Sequence, residues 1–266
     1  AFMAVGLTSC SDFLKEYSQD LAKVEGWEDL DEVLLGDAYM HSTYIVVQNS
    51  MLQGLSEDGL DLLHLMGDEM VMTDEDQNDH LGYQSSMFGI YTWQQDTGID
   101  RDKNYVGSDS KFWEDLYKRI NICNMVIALI DEQPERMESD VINKERVKGE
   151  AHFLRGMFYY YLVSLYGLPY NPATADTDLG VPVKITEYIE DKEFVRATVE
   201  ETYAQILSDF NDAATFLHGK TVKSKYHADE TAANLMLSRV YLYMQNWDKA
   251  VEYANKVLDS NSKLLS

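Results

Sequence analysis

Long apolar runs are missing from this sequence. The run MFYYYLVSLY at residues 157–166 covers ten residues and contains a serine, well short of the ~20 apolar residues a membrane-crossing helix needs. Cysteine is scarce too: Cys10 and Cys123 are the whole complement, which excludes a disulfide framework. Basic residues are outnumbered, 22 against 46 acidic, for a formal net charge of −24. That excess repels nucleic acid and anionic lipid and sets both aside as direct partners. Catalytic signatures are absent as well: there is no P-loop, no G-x-S-x-G elbow, no dinucleotide fingerprint and no H-E-x-x-H, so no cofactor is expected. The six histidines (His41, His64, His80, His152, His218 and His227) show no paired metal spacing. Asp74, Asp76 and Asn78 alternate as in a calcium loop. Asp79 replaces the required glycine, however, and Ser85 the closing glutamate, so an EF-hand is excluded.

What is present begins with AFMAVGLTSC. A short apolar stretch closing on small residues is the tail of a secretory signal. Leu7-Thr8-Ser9-Cys10 has the form of a lipobox, in which the signal is cleaved before a cysteine that carries acyl chains on its thiol. Residues 1–9 are therefore read as the remnant of a lipoprotein signal and Cys10 as the lipidation site. Cys123 then has no partner in the chain and is expected as a lone buried thiol in a helix.

Beyond Cys10, helical periodicity dominates. Leu116, Ile120, Cys123, Ile127 and Ile130 recur at three- and four-residue steps after Trp113 and give one buried stripe. After a turn at Gln133-Pro134, a helix is expected from about Asp140 to Tyr166, stopped by Gly167 and Pro169. Ala151, Leu154, Phe158, Tyr161 or Leu162, and Leu165 line one of its faces, with Phe153, Met157 and Tyr160 on a second. A helix this apolar is buried between neighbours. Its three consecutive tyrosines step by ~100° each, so they radiate into separate contacts and cannot form a stacking platform. Residues 168–197 form a Pro-, Gly- and Asp-containing excursion, with a short extended piece at Val181–Ile185. Thr198 and Glu201 then make a capping box for a helix through Leu217. Two further helices are expected near 229–244 and 247–260. Placing position 1 of the 34-residue tetratricopeptide template at Thr231 matches Leu237, Tyr241 and Ala250, with Ser238 where glycine is usual and Asn246 in the tight turn. Asn234, Ala254 and Val257 depart from the template.

The N-terminal third is less regular. Residues 28–55 read as helical, with Leu30, Val33, Leu34, Ala38, Ile45 and Leu52 apolar, and residues 56–112 as irregular. A loop that long is functional or packed on itself. It holds the best local constellation for a sugar: Tyr91, Trp93, Gln94, Gln95, Asp96 and Arg101. Flat aromatic faces accept the C–H surface of a pyranose, and planar amide, carboxylate and guanidinium groups bond its hydroxyls.

Taken together, several stretches resemble the SusD/RagB family of Bacteroidetes outer-membrane lipoproteins. They are LTSCSDFL, IYTWQQD, FWEDLYKRINICNMVIALID, KGEAHFLRGMFYYYLVSLYGLPY, VRATVEETYAQILSDFNDA and AANLMLSRVYLYMQNWDKAVEYANKVL. The family pattern is an E-A-x-x-L-R-A helix running into aromatics and then F-G-x-x-P. Here Gly156 stands in place of the second alanine, and Tyr166-Gly167-Leu168-Pro169 shortens the ending by one residue. The resemblance implies an all-α, tetratricopeptide-like repeat scaffold with long loop excursions. It also implies a surface-exposed, lipid-anchored outer-membrane protein that captures oligosaccharides without enzymatic action and delivers them to a SusC-like TonB-dependent transporter. Ligand contacts from an N-terminal loop fit the same picture. Residues 10–266 are then the N-terminal helical domain of a longer chain. Two rivals stand beside this reading: a repeat scaffold that binds peptide or protein without sugar contact, and a lipoprotein glycosidase using two facing carboxylates.

Overall fold

A computed structural model of the chain describes residues 24–39, 67, 88–105, 108–188, 190–191 and 193–260. Cys10 and the leader remnant, Ile45, Leu52 and the acidic loop at 74–80 lie outside the described residues. Among those described, the chain is helical and carries only two isolated β-bridges, Ile99 with Tyr105 and Leu179 with Thr198. In chain order the helices are α1 (Trp27–Val33, prolonged as π-helix over Leu34–Tyr39), α2 (Ser108–Leu129, ending in a 3₁₀ turn at Ile130–Glu132), α3 (Glu138–Tyr166), α4 (Val199–Leu217), α5 (Glu230–Tyr243) and α6 (Trp247–Ser260). The all-α repeat scaffold expected from the sequence is the architecture observed. α2 begins at Ser108, a turn before residue 112, the expected end of the irregular region; most of residues 56–87 lie outside the described residues.

α3 is the axis of the stack. It packs against α2 on one side and α4 on the other, while α4 carries α5 and α5 carries α6. Ala151, Leu154, Phe158 and Leu162 are fully buried, as their four-residue rhythm requires. The next position in that rhythm is Tyr166, whose ring packs on Phe112 and Trp113; Leu165, one residue short of the stripe, is exposed instead. The tyrosines do not stack, although the rings of Tyr160 and Tyr161 come within 6.2 Å at a tilt of 52°. Tyr159 is buried and bonded to the backbone of Lys184, Tyr160 meets the ring of Tyr243 edge-on at 5.7 Å, and Tyr161 lies half-buried. Each large apolar side chain buried this way contributes ~1.5–3 kcal/mol.

Caps delimit the helices as the sequence leads one to expect. At the start of α3 the Asp140 carboxylate accepts the backbone N–H groups of Arg136 (2.8 Å) and Met137 (3.0 Å). Thr198 and Glu201 exchange both bonds of the capping box, at 3.1 and 2.8 Å. Between α5 and α6 the chain turns through Gln245 in the left-handed region, φ 60°. Asn246 then caps α6 by accepting the Lys249 N–H at 3.2 Å. Ser238, in the position where a glycine is usual, donates its hydroxyl to the Ala250 carbonyl at 2.8 Å and so joins the two helices.

The 168–197 excursion is irregular yet fixed. Among the described residues Val181–Ile185 pairs with no strand. The extended segment is held instead by Gly180 N–H to Ala197 O (2.8 Å) and Ala197 N–H to Val181 O (3.1 Å). Asn124 donates to the carbonyls of Lys184 (3.0 Å) and Thr186 (3.1 Å), while Arg196 bonds the carbonyls of Gly180 and Tyr166. Cys123 is buried in α2, as expected, and burial pushes its thiol well up from the ordinary range, so it stays protonated and inert.

Candidate functional site

Residues 88–105 form a small self-bonded unit. A helical turn at 88–91 is followed by backbone bonds from Thr92 to Phe88 (3.0 Å), Trp93 to Ile90 (3.2 Å) and Gln94 to Gly89 (2.8 Å). Gly89 also donates to Ile99 at 3.1 Å, which draws the loop closed. A Cβ at Gly89 would fall 2.5 Å from the Thr97 carbonyl, so the closure requires glycine. The second half is a tight reversal. The Asp100 carboxylate accepts the Asn104 backbone N–H (2.7 Å) and side-chain amide (3.0 Å), and these bonds hold it below the usual carboxylate range.

This closure leaves Trp93 at φ 55°, with 70% of its surface exposed. A bulky residue in the left-handed region costs ~1–2 kcal/mol and persists only where its surroundings hold it. Here the flanking turn bonds do so, and the result is an indole presented to solvent on a constrained backbone. Tyr105 is exposed as well, beside the Ile99–Tyr105 bridge.

The other residues singled out in the sequence divide into two groups. Gln94 spends its amide donors on the Thr92 carbonyl (3.3 Å) and hydroxyl (3.0 Å), and Asp96 accepts the Gly98 N–H at 3.1 Å; both shape the loop. Arg101 is exposed and Tyr91 half-buried. The loop therefore offers one constrained aromatic face with a carboxylate, an amide and a guanidinium carried on the same short segment. Tyr105 was not picked out from the sequence; a second aromatic twelve residues beyond Trp93 was the available signal.

A second cluster is polar and buried. Arg155 on α3 bonds Asp209 on α4 and donates from Nη1 to the Asn124 carboxamide on α2 at 2.8 Å. His152 Nδ1 lies 3.0 Å from Asp209 Oδ1 and 3.7 Å from Asp212 Oδ2. These three residues have the donor types of a metal site. The Arg155 guanidinium already occupies Asp209, and a cation beside it would be repelled, so the cluster serves as a strut between helices. Among the described residues no helix is long and apolar enough to cross a membrane.

Comparison with known proteins gives a consistent answer. A SusD-like family, described as starch-binding and associating with the outer membrane, matches residues 37–242. A SusD-like protein P2 of Formosa agariphila is 26% identical over 161 residues, covering 59% of this chain and 28% of that protein. Among solved structures, a SusD-like carbohydrate-binding protein of Bacteroides vulgatus superposes with a TM-score of 0.63 at 23% identity, over 91% of this chain and 47% of that one. A laminarin-binding SusD-like protein gives 0.61 at 17% identity, over 88% and 44%. The chain thus spans about half the length of these solved relatives and under a third of the curated one. With the helical stack and the family match covering most of its length, the chain belongs to the SusD-like family.

Proposed function

We propose that the protein is a non-catalytic oligosaccharide-capture lipoprotein of the outer-membrane surface, and that the 88–105 loop touches the glycan. The observation that carries this reading is Trp93, 70% exposed and held at φ 55° by the closed turn around it. A solvent-facing indole on a backbone already held by turn bonds costs no backbone ordering when a sugar ring lies on it. Arg101 supplies the polar edge together with the remaining acceptor oxygens of Gln94 and Asp96, whose other bonds shape the loop, and Tyr91 lies two residues from the indole. The family's description as starch-binding and the laminarin-binding relative support a neutral glucan as the first ligand to try. Acylation at Cys10, surface exposure and delivery to a SusC-like TonB-dependent transporter complete the proposal, with residues 10–266 as the N-terminal helical portion of a longer protein.

The test uses the full-length protein, run through native gels containing starch, laminarin or other neutral polysaccharides and assayed in parallel for new reducing ends. Retardation in at least one polysaccharide with no reducing ends released is the expected result. Release of reducing ends would make it a glycosidase, and unchanged mobility throughout would favour the peptide-binding scaffold.

A further inference from the structure

Between the 168–197 excursion and the α5–α6 turn lies an open cleft of about 430 Å³. Tyr170 and Pro172 line it from the excursion; Gln245, Asn246, Trp247 and Asp248 line it from the turn. The volume lies within the range of small-molecule sites. No residue of the 88–105 loop contributes to it.

Both walls are built rather than loose. The Tyr170 ring rests edge-on against the buried Tyr203, with centroids 4.9 Å apart. Pro172 sits in a turn closed by the Thr174 and Ala175 N–H groups, which donate to the Asn171 carbonyl at 3.0 and 2.8 Å. Opposite, Gln245 is held at φ 60° by its N–H to Leu242 O (3.0 Å), and Asn246 by its N–H to Tyr241 O (2.9 Å). Asn246 uses its side-chain oxygen to cap α6, and that bond does not engage its amide Nδ2. Trp247 is 59% exposed. Such a large apolar surface beside polar groups is what an amphiphilic ligand needs.

The chemistry narrows the ligand. An indole and a phenol offer flat C–H-binding faces, while two carboxamides and a carboxylate offer directional bonds to hydroxyls. Among the described residues no lysine or arginine lines the cleft, and the chain carries a net charge of −24, so an anionic ligand is repelled. We propose that this cleft is a second saccharide subsite, selective for a neutral glycan segment, which gives the protein two contact points for glycan. The inference rests on the glycan-capture reading above but not on Trp93. Two modest sites acting on one polysaccharide raise its avidity without any new contact.

The test is calorimetric titration of the full-length protein with linear neutral gluco-oligosaccharides and with oligogalacturonate as the anionic control, accompanied by the indole N–H signal of Trp247 in NMR. Trp247→Ala and Gln245→Gly are the variants; glycine adopts the left-handed turn freely, so the second removes the carboxamide with the fold kept. The expected results are a shift of the Trp247 signal on adding the neutral oligosaccharide, and a loss of about fivefold or more in affinity in each variant at unchanged melting temperature. Oligogalacturonate is expected to leave the signal in place. Wild-type protein that binds and loses affinity with Trp93→Ala, while Trp247→Ala and the Trp247 signal stay unchanged, overturns the second subsite alone. Wild-type protein that binds no saccharide overturns the capture reading and the subsite together. Equal binding of oligogalacturonate at Trp247 overturns the claimed neutrality, and a Trp247 shift given only by a proline-rich peptide overturns the saccharide assignment.

Discussion

Arg155 and Asp209 meet in a two-point ion pair, Nη2 2.6 Å from Oδ1 and Nε 3.0 Å from Oδ2, with both side chains buried. The pair ties α3 to α4, and through Asn124 the same guanidinium reaches α2 and the 168–197 excursion. Removing one partner leaves the other charge uncompensated in the interior. Asp209→Asn is therefore expected to destabilise by ~3–5 kcal/mol, measured by urea unfolding. A loss under 1 kcal/mol would show that the pair is incidental.

Acid should undo this network. Burial alone would raise the Asp209 carboxyl, but the His152 and Arg155 contacts outweigh it and hold it below the ordinary value. Asp31 behaves alike, burial being outweighed by Arg146 and Lys223. A carboxyl depressed in the folded state stabilises the fold above its unfolded pKa and stops doing so as pH falls through its folded pKa. Stability is expected to be flat near neutrality and to drop below about pH 4. In Asp209→Asn the drop should be shallower, as urea midpoints across that range would reveal; a wild-type midpoint that rises on acidification would contradict the assignment.

Gly149 lets α3 approach α4 closely. A Cβ there would lie 2.8 Å from Leu217 Cγ and 3.0 Å from Phe216 Cβ. Alanine gains ~1 kcal/mol in helix propensity over glycine, whereas forced overpacking costs ~1–3 kcal/mol. Gly149→Ala is thus expected to lower the melting temperature despite the better helix former. A rise would mean that the two helices yield easily.

Tyr159 holds the excursion from below. Its hydroxyl donates to the Lys184 carbonyl at 2.7 Å and accepts the Lys184 N–H at 2.8 Å. Tyr159→Phe strands the Lys184 N–H and leaves its carbonyl to Asn124 alone, at a cost of ~1–3 kcal/mol, and should speed proteolytic cleavage within 168–197 before cleavage elsewhere. Cleavage beginning elsewhere would place the anchor in another contact.

Local chemistry made most of the fold legible. The Thr198–Glu201 box, Asn246 in its turn and the four-residue rhythm of Leu154, Phe158 and Leu162 each act within a few residues, so spacing alone locates them. Trp93 could be picked out by its company of amides and charges, but its left-handed backbone could not, because that depends on Gly89 closing onto Ile99. Arg155 and Asp209 stand 54 positions apart, and the cleft joins Tyr170 to Trp247 across two intervening helices. Pairings of that range follow from how helices stack, which periodicity does not specify.

Calorimetric titration of full-length wild type and Trp93→Ala with a retained neutral oligosaccharide decides whether Trp93 is the glycan contact proposed for this scaffold. The predicted result is a tenfold or greater loss of affinity, about 1.4 kcal/mol, with an unchanged melting temperature because the indole is exposed. Equal affinity in the two proteins would contradict it.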